Sequence, residues 1–409
     1  MSNVFDILQE RGFVYQCSDE AGLRAALESP ITLYNGIDAT ANSLTLGHLM
    51  PLMMMTWFQR AGHHPIALMG GGTTLIGDPT GRTSSRPLLT EAEIEANIAA
   101  IREQVGQVFS WVGGSPMVIN NADWLTTLGF IEFMRDIGTR FSVNEILRLE
   151  AYQSRLEAGG LSFLEFTYVL MQSYDFLRLY EDHNCTLQVG GSDQWGNSVA
   201  GADLIRRVRG GEAYVLVHPL LLDPSGKKMG KTAGNAVWLS AARTSPYEYY
   251  QYWRNTDDSQ VASRLAIYTF LPMDEVRRLG ARQGAELNES KEILAFEATT
   301  IVHGAEEARK ARDAAHALFG GGADAEVPTA EISRSLFAGD GLLVAALFKE
   351  VGLVKSNNEA RQQMAQGGLA IDGQKITDGT ATLDEGALGG REELLLTRGK
   401  KHKLRVVVR

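Results

Sequence analysis

Apolar positions along the chain follow two rhythms. Short continuous apolar runs at 31–34, 66–70, 117–120, 186–190 and 214–218 have the length of buried strands. Between them, stretches at 91–108, 131–148 and 163–180 repeat apolar residues every three or four positions and predict helices. Strands alternating with helices predict an α/β fold with a doubly wound parallel sheet, whose ligands sit at the carboxyl ends of the strands. Residues 1–30 read as an amphipathic helical lead-in ending at Pro30. The first strand is predicted to break at Asn35-Gly36 and to pass into a polar loop. Regular structure resumes at Leu46-Gly47-His48-Leu49, a helix running toward Ala61 with Gly62 as its stop.

From Ser245 the pattern becomes helical only. Ser245-Pro246-Tyr247-Glu248 has the spacing of a capping box with proline at the first helical position, and helical periodicity continues to Phe319. Gly320-Gly321-Gly322-Ala323-Asp324 reads as a linker. A small α+β unit follows, in which Ser356 caps a helix through Met364 and Gly367-Gly368 ends it. Strands at 369–371 and 374–376 flank an Asp372-Gly373 hairpin turn. The expected division is 1–225 for the sheet domain, 226–319 for a lysine-rich loop and helical domain, 320–340 for the linker, and 341–409 for the last unit.

Composition narrows the class. A chain of 409 residues with 44% apolar and 22% charged content is that of a globular protein of two or three domains. No apolar run approaches the ~20 residues of a membrane span, and the first residues lack a signal-peptide core. Cys17 and Cys185 are isolated, which fits a reducing cytoplasm and excludes structural zinc of the usual ligand spacing. A net charge of −10 argues against indiscriminate nucleic-acid binding, DNA included. The tail differs: from Thr397 to Arg409 it carries Arg398, Lys400, Lys401, Lys403, Arg405 and Arg409 and no acidic residue.

Chemistry concentrates at the predicted strand ends. Strand, polar loop and helix N-terminus across 33–49 make a phosphate-collecting geometry, because unpaired helix N–H groups face the loop. His48 sits in that first turn. Two further strand ends, Gly70-Gly71-Gly72 and Gly190-Gly191-Ser192-Asp193, are also rich in glycine. The helix at 163–180 is apolar nearly all round and should be buried, yet Tyr168, Gln172 and Asp175 form one stripe on it. A carboxylate there needs a partner, either an internal network or a polar ligand in a pocket. Asp78-Pro79 reads as a receiver for an ammonium group or as an ordinary turn. The run Gly226-Lys227-Lys228-Met229-Gly230-Lys231-Thr232 reads as a solvated surface loop or as cations over a polyphosphate. No nucleophilic triad is apparent, so catalysis by positioning and charge fits better than a covalent enzyme.

In combination these motifs resemble the class I aminoacyl-tRNA synthetases. Leu46-Gly47-His48 is similar to the end of their His-x-Gly-His signature, and Lys228-Met229-Gly230-Lys231-Thr232 to their Lys-Met-Ser-Lys-Ser signature. Tyr34-Asn35-Gly36-Ile37-Asp38, the Tyr168/Gln172/Asp175 stripe and Gly190-Gly191-Ser192-Asp193-Gln194-Trp195 resemble the bacterial-type tyrosyl branch, and the C-terminal unit its S4-like RNA-binding domain. The resemblance implies a Rossmann-like catalytic sheet, a tyrosine–tRNA ligase activity, the partners L-tyrosine, ATP with Mg²⁺ and tRNA(Tyr), a homodimer, and no resident metal. It implies that Tyr34 and Asp175 bind the phenol of tyrosine, that Asp78, Tyr168 and Gln172 take its ammonium, and that Gln194 lies near its carboxylate. Asp38, Thr40, Gly47, His48, Gly191 and Asp193 would line ATP, and Lys228 and Lys231, with Arg82 and Arg86, would stabilise the departing pyrophosphate. Arg398, Lys400, Lys401, Lys403 and Arg405 would face RNA.

Two positions depart from the pattern. Thr45 stands where the family has its first signature histidine, and Arg82 where it usually has lysine. The alternatives are a small-molecule nucleotidyltransferase sharing the Gly-His helix start, and an RNA-binding paralogue with weakened catalysis. If the tail reads RNA, removing everything after the glycine linker spares tyrosyl-adenylate formation and abolishes efficient tRNA charging. Charging by the intact chain should then fall steeply with salt; normal charging by the truncated chain would remove the tail from RNA binding.

Overall fold

The computed structural model describes residues 3–80, 89–222, 236–319, 329–339, 341–354, 356–399 and 402–409. The chain forms two compact units, Met1–Arg312 and Asp313–Arg409. Among the described residues the first unit holds six strands: β1 (Gln16–Cys17), β2 (Thr32–Ile37), β3 (His64–Met69), β4 (Met117–Asn120), β5 (Cys185–Gly191) and β6 (Tyr214–His218). Their order is β1-β6-β5-β2-β3-β4. β2 to β6 run parallel, and β1 pairs antiparallel with β6. β2 is central: the chain winds outward through β3 and β4 on one side and through β5 and β6 on the other. The direction of winding therefore switches between β2 and β5, where open α/β sheets bind ligands.

Several sequence expectations change here. The first 30 residues are not one helical lead-in but two helices, Val4–Arg11 and Glu20–Ala26, around the edge strand β1. Asn3 and Asp19 cap them, each accepting a backbone N–H from the first turn. Asn35-Gly36 does not break β2. Both residues pair in register with Ala67 and Leu68 of β3, and the Asn35 amide donates to the Val189 carbonyl of β5 at 2.9 Å. The segment 131–148 is not one helix but three short turns, Phe130–Asp136, Gly138–Arg140 and Val143–Ile146, interrupted where glycine and Ser142 stand.

The helix Leu46–Arg60 is buried on nearly every side. Arg11 clamps it to the helical region: its guanidinium lies 4.0 Å from the Trp57 ring and donates to the carbonyls of Ala266 (2.8 Å) and Thr269 (3.2 Å). Burial lowers the Arg11 pKa to about 10, and the carbonyls satisfy the charge that remains. The helical region comprises Pro246–Arg254, Val261–Tyr268, Met273–Gly280 and Ala285–Phe319, the last broken at Gly304 (φ 85°). Its first helix opens with the expected capping box, Ser245 and Glu248 bonding reciprocally.

The second unit contains β7 (Thr329–Ile332), β8 (Leu342–Leu343), β9 (Leu369–Ile371), β10 (Gln374–Ile376), β11 (Thr382–Leu383), β12 (Glu393–Arg398) and β13 (His402–Val408). Five of them form a sheet in the order β10-β9-β12-β13-β7, and β8 pairs with β11. β7 lies in the stretch expected as linker; it covers the open edge of β13 and sends Ile332 into the core. The Asp372-Gly373 turn has φ of 49° and 82°, as a two-residue type I′ hairpin requires, and it joins β9 to β10 as expected.

Candidate active site

At the carboxyl ends of β2, β3, β5 and β6 lies a cavity of about 470 Å³. Its deep end is built on the helix Phe163–His183. Ser162 caps that helix through a capping box with Glu165, and a buried Arg155–Glu165 ion pair (3.0 Å) fixes its start. The helix is not buried throughout: Phe163 is 64% and Leu164 41% exposed, against the expectation from its apolar sequence. Further along, Asp175 is buried and lines the cavity. Its carboxylate accepts from the Asn121 amide and from the Trp124 indole N–H, both at 2.8 Å. Burial raises its pKa to about 7, opposed by those two hydrogen bonds and reinforced by Asp38.

Tyr34 faces the same carboxylate from β2. Burial first, and then the Asp175 charge, push the Tyr34 phenol well above its ordinary pKa, so it stays protonated. Its hydroxyl is buried with no hydrogen-bond partner, as are the side-chain carbonyls of Gln172 and Gln188 on the cavity wall. Orphaned buried polar atoms are costly, and three around one cavity mark a place for a polar ligand.

The middle of the cavity is a corner of acceptors. Tyr168 donates its hydroxyl proton to Asp38 (3.1 Å), and Thr73 donates to the other Asp38 oxygen (2.8 Å). With its proton so committed, the Tyr168 oxygen faces a ligand as an acceptor. Asp78 accepts from Gln194 (2.9 Å) and from the Thr80 N–H (2.9 Å). Gly70 lets this corner close: a Cβ there would lie 2.4 Å from an Asp38 oxygen.

The mouth is the loop from Asp38 to Thr45 and the first turn of helix Leu46–Arg60. Thr45 precedes the helix with extended backbone (φ −115°, ψ 172°). Its N–H donates to His48 Nδ1 at 3.2 Å, and its hydroxyl lies 2.9 Å from the same atom. An Nδ1 that accepts the backbone N–H carries no proton, so the neutral ring bears its hydrogen on Nε2.

The described residues expected for the tyrosine and ATP sites all line this one cavity: Tyr34, Asp38, Thr40, Thr45, Gly47, His48, Asp78, Tyr168, Gln172, Asp175, Gly191, Asp193 and Gln194. Arg82, Arg86, Lys228 and Lys231, and in the tail Lys400 and Lys401, lie outside the described residues. Arg398 is engaged within its own unit, donating to the Leu353 carbonyl (2.7 Å) and to Glu359 (2.8 Å). Arg405 approaches Glu393 at 3.6 Å, whereas Lys403 forms no ion pair among the described residues.

Sequence reasoning missed Asn121, Trp124 and Gln188. The first two follow β4, whose end reads Asn120-Asn121; the rule that singled out three other polar strand ends would have found it. Asn120 accepts the Gly71 N–H and Asn121 the Gly72 N–H, so this pair also anchors the glycine turn. Gln188 stands in mid-strand and carries no local signal.

Two family models match. Residues 26–320 fit the class I tRNA synthetases for tryptophan and tyrosine, and residues 321–406 the SYY-like C-terminal domain of tyrosine–tRNA ligase. The chain is 48% identical over 411 residues to a tyrosine–tRNA ligase of Clostridium botulinum and 47% to that of Clostridium beijerinckii, covering 100% of both chains in each case. Among solved structures, a C-terminally truncated mitochondrial tyrosyl-tRNA synthetase of Aspergillus nidulans matches with a TM-score of 0.71 and 29% identity, over 78% of this chain and 95% of that one. The Archaeoglobus fulgidus tyrosyl-tRNA synthetase complexed with L-tyrosine matches with a TM-score of 0.58 at 17% identity, over 76% and 99%, a likeness of fold.

The environment of Asp175 sets a pH dependence. Its folded pKa, about 7, stands above the ordinary 3.8, so the folded state holds a proton over that window that the unfolded state has lost. Its contribution to stability therefore declines as pH rises from about 4 to 7 and is constant above. Trp124→Phe removes a donor that favours the carboxylate, so the Asp175 titration, followed by carboxyl ¹³C NMR, should move upward. A midpoint that stays put would exclude the indole bond.

Proposed function

Because the chain belongs to the class I tRNA synthetases for tryptophan and tyrosine, as a tyrosine–tRNA ligase, we propose that its cavity holds tyrosine at the deep end and ATP at the mouth. The observation that carries this arrangement is the orphaned Tyr34 hydroxyl opposite Asp175. A phenol between them donates to the Asp175 carboxylate and accepts from Tyr34. Phenylalanine would leave both unpaired, and the site rejects it on that ground. Asp78, Gln172 and the proton-committed Tyr168 offer three acceptors to the three N–H bonds of the substrate ammonium. Gln194 then stands by the carboxylate.

ATP enters as its magnesium complex, the metal carried by the phosphates. Its ribose and phosphates lie along Thr40, Gly47, His48, Gly191 and Asp193, with Asp38 beneath. A tyrosine carboxylate oxygen attacks the α-phosphorus. The bond to the bridging oxygen breaks, and pyrophosphate leaves with the electron pair. Lys228, Lys231, Arg82 and Arg86 supply the positive charge that this departure needs. In the second step a terminal ribose hydroxyl of tRNA(Tyr) attacks the tyrosyl carbonyl and AMP departs. The basic residues of the tail, Lys403 foremost among those described, contact the tRNA backbone. The reaction takes place in the cytoplasm.

Thr45 has a narrower role than a direct triphosphate contact. Its N–H and hydroxyl both engage His48 Nδ1, which presents Nε2–H to the cavity. Thr45→Ala removes one of the two contacts and should slow single-turnover adenylate formation about tenfold, with tyrosine affinity unchanged. An unchanged rate would remove the hydroxyl from the mechanism.

The protein acts as a homodimer. Phe130 (67% exposed), Ile131 (73%), Phe163 (64%) and Leu164 sit on helices that share one apolar cluster, and they leave an apolar surface of the kind that protein contacts cover. Ile131→Glu with Phe163→Glu should turn a dimer into a monomer in sedimentation; a monomeric parent, or a dimeric variant, would place the interface elsewhere.

A further inference from the structure

Two of the amides on the helix Glu91–Ser110, Asn97 and Gln104, stand seven residues apart and hence on one stripe. Both reach the ATP loop. The Asn97 amide donates to the Ala39 carbonyl at 2.9 Å. Gln104 Oε1 accepts the Leu44 N–H at 2.9 Å and lies 3.2 Å from the Ser43 hydroxyl. Neither residue lines the cavity.

A second element meets the same two residues from another part of the chain. The Leu239 N–H donates to the Leu44 carbonyl (2.8 Å), and the Ser240 N–H to the Ser43 hydroxyl (3.0 Å). One step on, the Leu46 N–H donates to the Val237 carbonyl (3.1 Å), and Thr45 bridges to Trp238. The stretch 237–240 follows the lysine signature closely in sequence, as the helix Glu91–Ser110 follows Arg82 and Arg86. The stretch 237–240, and Gln104 on the helix that follows Arg82 and Arg86, thus converge on Ser43 and Leu44, immediately ahead of Thr45 and His48.

We propose that Gln104 is a positioning residue for adenylate formation: with Ser43 it fixes the register of the Thr45–His48 turn against the chain that follows the lysine signature. The inference rests on the ATP reading of the cavity mouth. Paired, partly buried hydrogen bonds of this kind restrain the backbone they hold, and small misplacements of groups stabilising a transition state are costly in rate. The phenol pocket does not contact this clasp, so it is untouched.

The test is single-turnover adenylate formation at saturating tyrosine and ATP, alongside equilibrium tyrosine binding. The proteins are the full-length parent, Gln104→Met, Ser43→Ala and the double variant. Gln104→Met keeps the length of the side chain and removes the acceptor. The rate should fall about tenfold in each single variant, with the tyrosine Kd within about twofold of the parent. The double variant should be no slower than the slower single one, because both changes open one clasp. A Gln104→Met rate equal to the parent's overturns the proposal. So do tyrosine affinity lost in proportion to rate, or rate losses that multiply. Should Gln104→Met fail to fold, Ser43→Ala decides alone by the same rate and affinity criteria. A parent that makes no adenylate at all would count against the reading of the cavity, not against the clasp.

Discussion

A carboxylate deep in an apolar helix is the constraint around which the first unit is arranged. Asp175 cannot be buried as a charge without partners, and the fold supplies two from a distant segment, Asn121 and Trp124. Supplying them requires β4 to end at Asn120, next to β3 and with β3 and β2 between it and β5. The same Asn120-Asn121 pair holds the glycine turn after β3. Two donors still leave the carboxylate only marginally ionised, with a pKa near neutrality. In the proposed arrangement a third donor, from the substrate phenol, completes the shell. On that proposal, substrate binding and ionisation of Asp175 are one linked equilibrium.

The cavity is partitioned by proton ownership. Tyr168 and Thr73 give their protons to Asp38, Gln194 and the Thr80 N–H give theirs to Asp78, and Tyr34 keeps its own. Acceptors therefore collect in the middle and a donor–acceptor pair at the deep end. At the mouth His48 is held as a neutral donor by Thr45. An amino acid with a phenol at one end and an ammonium group and carboxylate at the other matches that order of groups.

Much of this was legible in the sequence, and the limits are physical. Strand ends and the Tyr168/Gln172/Asp175 stripe follow from period and polarity, which act locally. The alternation of strands and helices gave the parallel sheet for the same reason. The short antiparallel edge β1 and the late strand β7 escaped because each is held by pairing to a strand far away in sequence. Asn35-Gly36 looked like a break because turn propensity is local, whereas the Asn35 amide finds its partner on β5. The exposed Phe163 and Leu164 were misread as core because periodicity reports an apolar face and not what covers it. Gln188 carries no pattern; only the fold brings it to the cavity.

The central claim is that Tyr34 and Asp175 choose the substrate by its phenol hydroxyl. Exchange of labelled pyrophosphate into ATP tests it most directly, with tyrosine or phenylalanine as the amino acid and with the parent or Tyr34→Phe and Asp175→Ala. The account predicts exchange with tyrosine and essentially none with phenylalanine in the parent. It further predicts collapse of tyrosine exchange in Asp175→Ala and weakened discrimination in Tyr34→Phe. Equal exchange with both amino acids in the parent, or full tyrosine exchange without the Asp175 carboxylate, would contradict it.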